Sequence, residues 1–170
     1  MAYKPDVLEL LTGDHREVER IFAAFEATRD PGRRRELVDL LVTELTRHSA
    51  VEEEHLHPVV RRVLPDGDRI AARARAAHAE AALTMRALTA RALDGADPAD
   101  ASFARDVGTL LRQAQEHAAQ QEHEVFPLLR AALTAGERVA LGAEADRAGR
   151  TAPVRTPFAG TRTGYPGPSA

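Results

Sequence analysis

The sequence predicts an all-α protein: an antiparallel four-helix bundle of up-down-up-down order, followed by a short C-terminal helix and a disordered tail. Turn-forming residues at positions 30–32, 64–67 and 94–98 divide the chain into four long segments. Within the segments, apolar residues recur at helical spacing, and alanine, leucine, arginine and glutamate dominate. Because short loops join these amphipathic helices, we expect them to pack as antiparallel neighbours.

Each predicted helix carries an apolar stripe, and each stripe contains at least one histidine. We expect the helices over residues 5–28, 33–63 and 68–93, and from Pro98 or Ser102 onward. The histidines on the four stripes are His15, His48, His55, His78 and His117. Imidazoles presented from four helices toward one axis indicate a shared polar site inside the bundle.

The chain after the fourth helix differs in composition. A short helix is expected over residues 137–148, and the Pro-, Gly- and Thr-rich residues from Gly149 onward show no periodicity. The predicted organisation is therefore a bundle over residues 1–135, an accessory helix over 136–148 and a disordered tail over 149–170.

Composition excludes several classes of function. The 170 residues suit one domain, and the net charge of −3 does not favour nucleic acid as a partner. The absence of cysteine excludes disulfides, thiolate zinc sites and cysteine-held iron–sulfur clusters. We see neither a signal peptide nor the roughly 20 apolar residues of a membrane helix, so we expect a cytoplasmic protein with no membrane partner.

Two matching segments indicate a metal site. His48 precedes Glu52 by one helical turn, and His117 stands in the same way before Gln121. Residues four apart share a helix face, so the first pair can bind one cation or two adjacent ones. An acidic group on an apolar stripe needs a compensating charge, and no Lys or Arg lies on the predicted stripes. This pattern favours a carboxylate-bridged metal pair.

The fourth helix leaves its carboxylate open to two interpretations. Gln121 occupies the position that matches Glu52, but an amide is a poor bridging ligand. Glu122 is the charged alternative, although a regular α-helix would turn it about 140° away from His117. A π-type bulge between His117 and Glu122 would bring it inward, so we favour Glu122 over Gln121. Glu124 is a further alternative carboxylate.

Each residue also has an ordinary structural interpretation. Taken singly, His15 or His78 could be a surface or core histidine, and only the histidines on all four stripes together indicate a metal. His55 lies two turns beyond His48, either beside a ligand or in an end layer. His57 and His123 are expected to be solvated. A bundle with vestigial polar positions and no metal is the remaining alternative.

These motifs resemble the hemerythrin-like (HHE cation-binding) family over roughly residues 5–132. The positions that carry the resemblance are His15 within Asp14-His15-Arg16-Glu17-Val18, His48 and Glu52 before His57-Pro58, His78 within Ala77-His78-Ala79-Glu80, and His117 and Glu122 before Phe126-Pro127.

The resemblance implies a four-helix bundle with a non-haem centre of two iron ions, bridged by two carboxylates and an oxo or hydroxo group. It assigns the nitrogen ligands to His15, His48, His78 and His117, and the bridging carboxylates to Glu52 and Glu122. The five-residue step from His117 to Glu122 is similar to that of the oxygen-carrying hemerythrins. Many bacterial relatives use a four-residue step, which here gives Gln121.

One departure from the oxygen carriers bears on function. Those proteins have a second histidine one turn from the first on the third helix, whereas here the flanking positions around His78 are Ala74 and Ala82. The irons would then have more open positions, which favour reaction with small molecules over reversible storage.

The sequence leaves the activity open among three alternatives. The protein could bind or sense oxygen, nitric oxide or iron. It could be a di-iron enzyme that decomposes hydrogen peroxide or reduces nitric oxide, or it could donate or store iron. The expected partner is therefore a small diatomic ligand or peroxide, and the sequence names no protein partner.

Overall fold

A computed structural model describes residues 4–151, and this part of the chain is helical with no strand. The helical segments are α1 (Val7–Ala27), α2 (Pro31–Val51), π1 (Glu52–Leu56), α3 (His57–Val63), α4 (Gly67–Leu93), α5 (Ala101–Gln120), π2 (Gln121–Val125), α6 (Phe126–Ala132) and α7 (Ala135–Thr151). Since α2, π1 and α3 are continuous, as are α5, π2 and α6, they form five continuous helices within the described residues. The all-α prediction is confirmed.

The helix starts follow local capping signals. Asp6 caps α1, accepting backbone bonds from Leu8 and Glu9, while the Glu9 side chain bonds back to the Asp6 N–H. Asp30 caps α2, and Pro31 occupies the first helical turn, where its missing N–H has no cost. These starts lie close to the boundaries expected from the turn residues.

The two π segments arise at prolines. The N–H of His57 bonds to the carbonyl of Glu52, and that of Phe126 bonds to Gln121, each five residues earlier. The next residue in each case is proline, which cannot donate the following backbone bond and whose ring crowds the carbonyl four residues before it. The extra residue in each turn rotates the following side chains by about 100° relative to a regular α-helix.

A layer of polar side chains divides the buried apolar residues into two clusters. The first cluster comprises Val7, Leu8, Leu11, Val51, Leu56, Val59, Val60, Leu64, Val125, Phe126, Leu129, Leu133 and Ala145. The second comprises Val18, Ile21, Phe25, Leu37, Val38, Leu41, Leu45, Leu88, Ala92, Phe103, Val107 and Leu110. The contacts of α1 with α2 and of α4 with both α3 and α5 are consistent with a helical bundle.

The last helix packs across one end of the first cluster. Helix α7 contacts α1 and α2, and Arg138 on it donates to Asp6 at 2.9 Å. A Cβ on Gly142 would lie 2.6 Å from the carbonyl oxygen of Pro5, so only glycine allows this approach. Helix α7 extends beyond the predicted 137–148 at both ends. Residues 152–170, most of the predicted tail, lie outside the described part.

Gly67 tests the close packing of α4 on α3. A Cβ at this position would meet the Val60 carbonyl oxygen and lie 2.6 Å from the Cα of Arg61. We expect Gly67→Ala to lower the free energy of unfolding of the metal-free protein by about 1–3 kcal/mol, measured by chemical denaturation followed by circular dichroism. Gly108→Ala is the control: it meets nothing within 4 Å and should stabilise α5 by about 0.5–1 kcal/mol. Equal stabilities of the two variants would contradict this packing.

Candidate metal centre

The structure brings the four predicted histidines together around Glu52. His15 comes from α1, His48 from α2, His78 from α4 and His117 from α5, and all four are buried. Glu52, the first residue of π1, has a side chain with 0% exposure. The polar layer between the two apolar clusters is therefore built by one side chain from each of four helices and one carboxylate.

The donor atoms form two groups that share Glu52. In the first group, which also contains His15, His48 Nε2 lies 3.0 Å from Glu52 Oε1. In the second group, His78 Nε2 and His117 Nε2 lie 2.8 and 3.0 Å from Glu52 Oε2. Within each group the donor atoms lie within 4.8 Å of one another, so each group could hold a cation.

The charge of Glu52 sets the electrostatics of the cluster. Burial opposes its ionisation, but His48, His117 and His78 outweigh this effect and hold its pKa well below the usual value. Burial also opposes protonation of His48, yet Glu52 and Asp14 raise the pKa of His48 to about 10. In the absence of a cation, a proton on His48 therefore balances Glu52. A cation would displace that proton, so cation affinity is expected to rise with pH.

Several contacts in the cluster fit a cation better than a proton. His48 Nε2 has no hydrogen-bond partner among the described residues, although it lies close to Glu52. Burial and the neighbouring His48 lower the pKa of His15, which favours its neutral form. If Nδ1 of neutral His15 carries the proton, its Nε2 lone pair faces another acceptor, Gln121 Oε1, at 3.1 Å. Two acceptors in contact are what a bound cation would stabilise, so this donor set fits a metal.

The Nδ1 atoms of the cluster histidines face away from Glu52 and are called the outer nitrogens here. In three of the four histidines a carboxylate lies beside this atom. His15 Nδ1 lies 2.8 Å from Glu122, His48 Nδ1 lies 3.2 Å from Asp14, and His78 Nδ1 lies 2.9 Å from Glu53. A carboxylate on Nδ1 favours a proton there and leaves Nε2 as a lone pair directed into the cluster. The sequence reasoning did not identify Asp14 or Glu53, because their partners are distant in the chain.

The structure differs from our sequence-based choice on the fourth helix. Gln121 is buried in the cluster and its amide donates to Glu52 Oε1, whereas Glu122 lies outside, between His15 and Arg16. The reason is the position of the π turn. It begins only at Gln121, so the chain from His117 to Gln120 is regular α-helix and the four-residue step to Gln121 keeps His117 and Gln121 on one face.

The expectation that His57 is solvated is wrong. His57 is 2% exposed, and its ring stacks on His78 with centroids 5.6 Å apart. Burial lowers its pKa to about 4. The extra residue in π1 explains this placement, because it rotates His57 back toward the face of Glu52. The signal in the sequence was the proline that follows His57.

The remaining candidates lie away from the donor groups. The His55 side chain is 24% exposed, with Nε2 3.8 Å from Glu54. His123 is exposed, as expected. Glu124 is exposed and pairs with Arg73 at 3.3 Å, so it does not enter the cluster.

Comparison with known proteins decides the family. Residues 6–129 match the hemerythrin HHE cation binding domain. The chain belongs to the hemerythrin HHE cation-binding family. No curated protein and no solved structure gives a significant match.

Membership of the hemerythrin family makes a cation, usually iron, the expected occupant of the cluster. The two donor groups are consistent with that function. None of the helices in residues 4–151 is long and apolar enough to cross a membrane.

A cavity of about 40 Å³ adjoins the histidine cluster of this hemerythrin domain. Its walls are the four histidines, the apolar residues Val18, Leu45, Ala77, Ala81, Ala114 and Ala118, and a polar edge of Asp14, Glu19, Ser49, Gln113 and Gln115. A water molecule needs about 10–15 Å³ of such space, so the cavity accepts only a very small molecule beside the cluster.

The outer carboxylates provide a test with a matched control. Glu53→Gln removes the charge that holds His78 Nδ1, whereas Glu54→Gln changes an adjacent, more exposed carboxylate that lies outside both donor groups. We expect Glu53→Gln to weaken cation binding about tenfold or more, because outer partners orient the ligand imidazole. Competition with a coloured chelator measures the affinity. Equal affinities of the two variants would contradict this role for Glu53.

Proposed function

We propose that the protein holds a pair of iron ions and uses them to bind or sense a small diatomic molecule, oxygen or nitric oxide. The observation that carries the proposal is that two groups of buried donors share Glu52. Its Oε1 lies beside His48, and its Oε2 lies beside His78 and His117. A carboxylate whose two oxygens face different imidazoles is suited to bridge two cations, as in other helical bundles.

The proposed ligands follow the helices of an up-down-up-down bundle. The four imidazoles His15, His48, His78 and His117 would supply nitrogen, and Glu52 would bridge the ions. The amide oxygen of Gln121 would take the place of a second carboxylate, while Glu122 would act from outside through His15 Nδ1. A cytoplasmic location is part of the same proposal.

The iron pair would supply electrons and open coordination positions for a small ligand. The protein's own contribution is a small, mainly apolar space beside the pair. Leu45, Ala81 and Ala114 line the cavity next to the histidines and limit the number of water molecules there. This environment favours a small neutral molecule over a charged one, because the mainly apolar wall would not replace the hydration that a charged ligand loses.

A second candidate is an enzyme that decomposes hydrogen peroxide or reduces nitric oxide. Ala74 and Ala82 flank His78, and neither can ligate a metal, so positions on that side would be open to a reacting molecule. Iron donation or storage is a third candidate, since the neutral amide of Gln121 would hold one iron more weakly than a carboxylate would.

Iron content tests the proposed pair. We expect protein expressed aerobically in iron-supplemented medium to contain about two irons per chain, because two donor groups are present. Glu52→Gln keeps the shape but removes the bridging charge, so the paired site should be lost. Metal analysis with near-ultraviolet absorption measures both. Wild-type protein without iron, or a Glu52→Gln variant with equal iron, would refute the pair.

Small-molecule binding separates the binder from the enzyme. We expect anaerobic nitric oxide titration of the ferrous protein to saturate, and hydrogen peroxide to cause one stoichiometric bleaching of the iron absorption. Ala81→Leu should fill the cavity and weaken nitric oxide binding while the iron content stays unchanged. Ala79→Leu, at an exposed position of the same helix outside the cavity wall, is the control. Sustained oxygen evolution from peroxide would favour the enzyme instead.

A further inference from the structure

His57 and Phe126 occupy matching positions in the two halves of the molecule. Each is the first residue after a π segment, and each precedes a proline. The ring of Phe126 stacks on His15 with centroids 6.2 Å apart, and the ring of His57 stacks on His78 at 5.6 Å. Both rings therefore cover the face of one cluster histidine.

Packing alone accounts for the ring of Phe126 but not for that of His57. Phe126 fills its place without any polar atom, whereas His57 buries two ring nitrogens that have no hydrogen-bond partner among residues 4–151. Its exposure is 2%. Buried polar groups are almost always hydrogen-bonded, and leaving one unsatisfied is unfavourable. A packing role explains the ring of His57 but not its nitrogens.

A cavity beside His57 is large enough for one water molecule. Its volume is about 10 Å³. Most of its wall is apolar, and its polar lining residues are His57, His117, Gln120 and Gln121. Ala74, one turn before His78, also lines this cavity, so its small side chain helps to leave the space. The cavity lies toward the first apolar cluster, whereas the 40 Å³ cavity lies toward the second.

We propose that His57 is a fifth histidine of the metal centre, which acts from outside the donor groups by holding one water molecule that hydrogen-bonds to the outer Nδ1 of His117. This inference rests on the proposed iron pair. A neutral imidazole offers one donor and one acceptor, which suits a water molecule. No nitrogen of His57 belongs to either donor group in the described chain, so its effect on a cation would pass through the water molecule and His117.

The water would serve the side of the centre that lacks an outer carboxylate. His117 lines the same cavity, and its Nδ1 is the one outer nitrogen of the four cluster histidines without a hydrogen-bond partner in the described residues. Because His57 lies beside only one of the two donor groups, its loss should affect one cation of the pair more than the other.

His57→Phe tests this role, because the matching position already holds phenylalanine. We expect the metal-free variant to melt at the same or a higher temperature, since two unsatisfied buried nitrogens are removed. We expect one of the two ferrous ions, titrated anaerobically against a chelator, to bind about tenfold or more weakly, with the other unchanged. If His57 had a purely structural role, the melting temperature and the ferrous ion affinity would fall together.

Two further variants complete the experiment. His57→Gln keeps a donor and an acceptor beside the cavity and should restore part of the lost affinity. His123→Phe makes the same substitution at an exposed histidine and should leave both affinities unchanged.

The possible results separate the two proposals. If wild-type protein binds two ferrous ions and His57→Phe binds both as tightly, the role of His57 is refuted and the iron pair stands. If His57→Phe lowers the melting temperature and weakens both ions equally, His57 is only a packing residue. If wild-type protein does not bind two ions, the iron pair fails, and the role of His57 fails with it.

Discussion

The burial of Glu52 is the constraint on which the rest of the centre depends. Its carboxylate has 0% exposure, and a charge in that environment is tolerated only with compensating partners on every side. Three imidazole nitrogens contact its two oxygens, and the amide of Gln121 donates to it. Because these partners come from α2, α4, α5 and π2, the charge at Glu52 requires that the helices meet in one register.

The polar layer is held in place by structures on both sides of it. Apolar clusters pack above and below it, and α7 closes the end of the first cluster. The π turns place a ring over His15 and another over His78, which restricts both imidazoles. Outer carboxylates then fix which nitrogen of three histidines faces inward. The site is thus organised before any cation binds, which favours tight binding.

The two halves of the centre are similar in backbone but unequal in chemistry. One half contributes Glu52 and His57, and the other contributes Gln121 and Phe126 at the matching positions. The first pair brings charge and two unsatisfied ring nitrogens, while the second brings a neutral amide and an apolar ring. Two cations held in such a site would differ in affinity and in access to solvent, and this inequality underlies both the proposed chemistry and the proposed role of His57.

The sequence by itself determined the helical segments and the histidines that share an inner face, because both depend on local spacing along a helix. It did not determine which helix face is occupied by the residues in and after each π turn. One extra residue moves His57 inward, and the start of π2 at Gln121 leaves Glu122 outside the cluster. The sequence did not identify the outer partners Asp14 and Glu53 either. Asp14 contacts His48, and Glu53 contacts His78, only once different helices pack together. Periodicity is a property of one helix, whereas hydrogen-bond partners between helices are decided by tertiary packing.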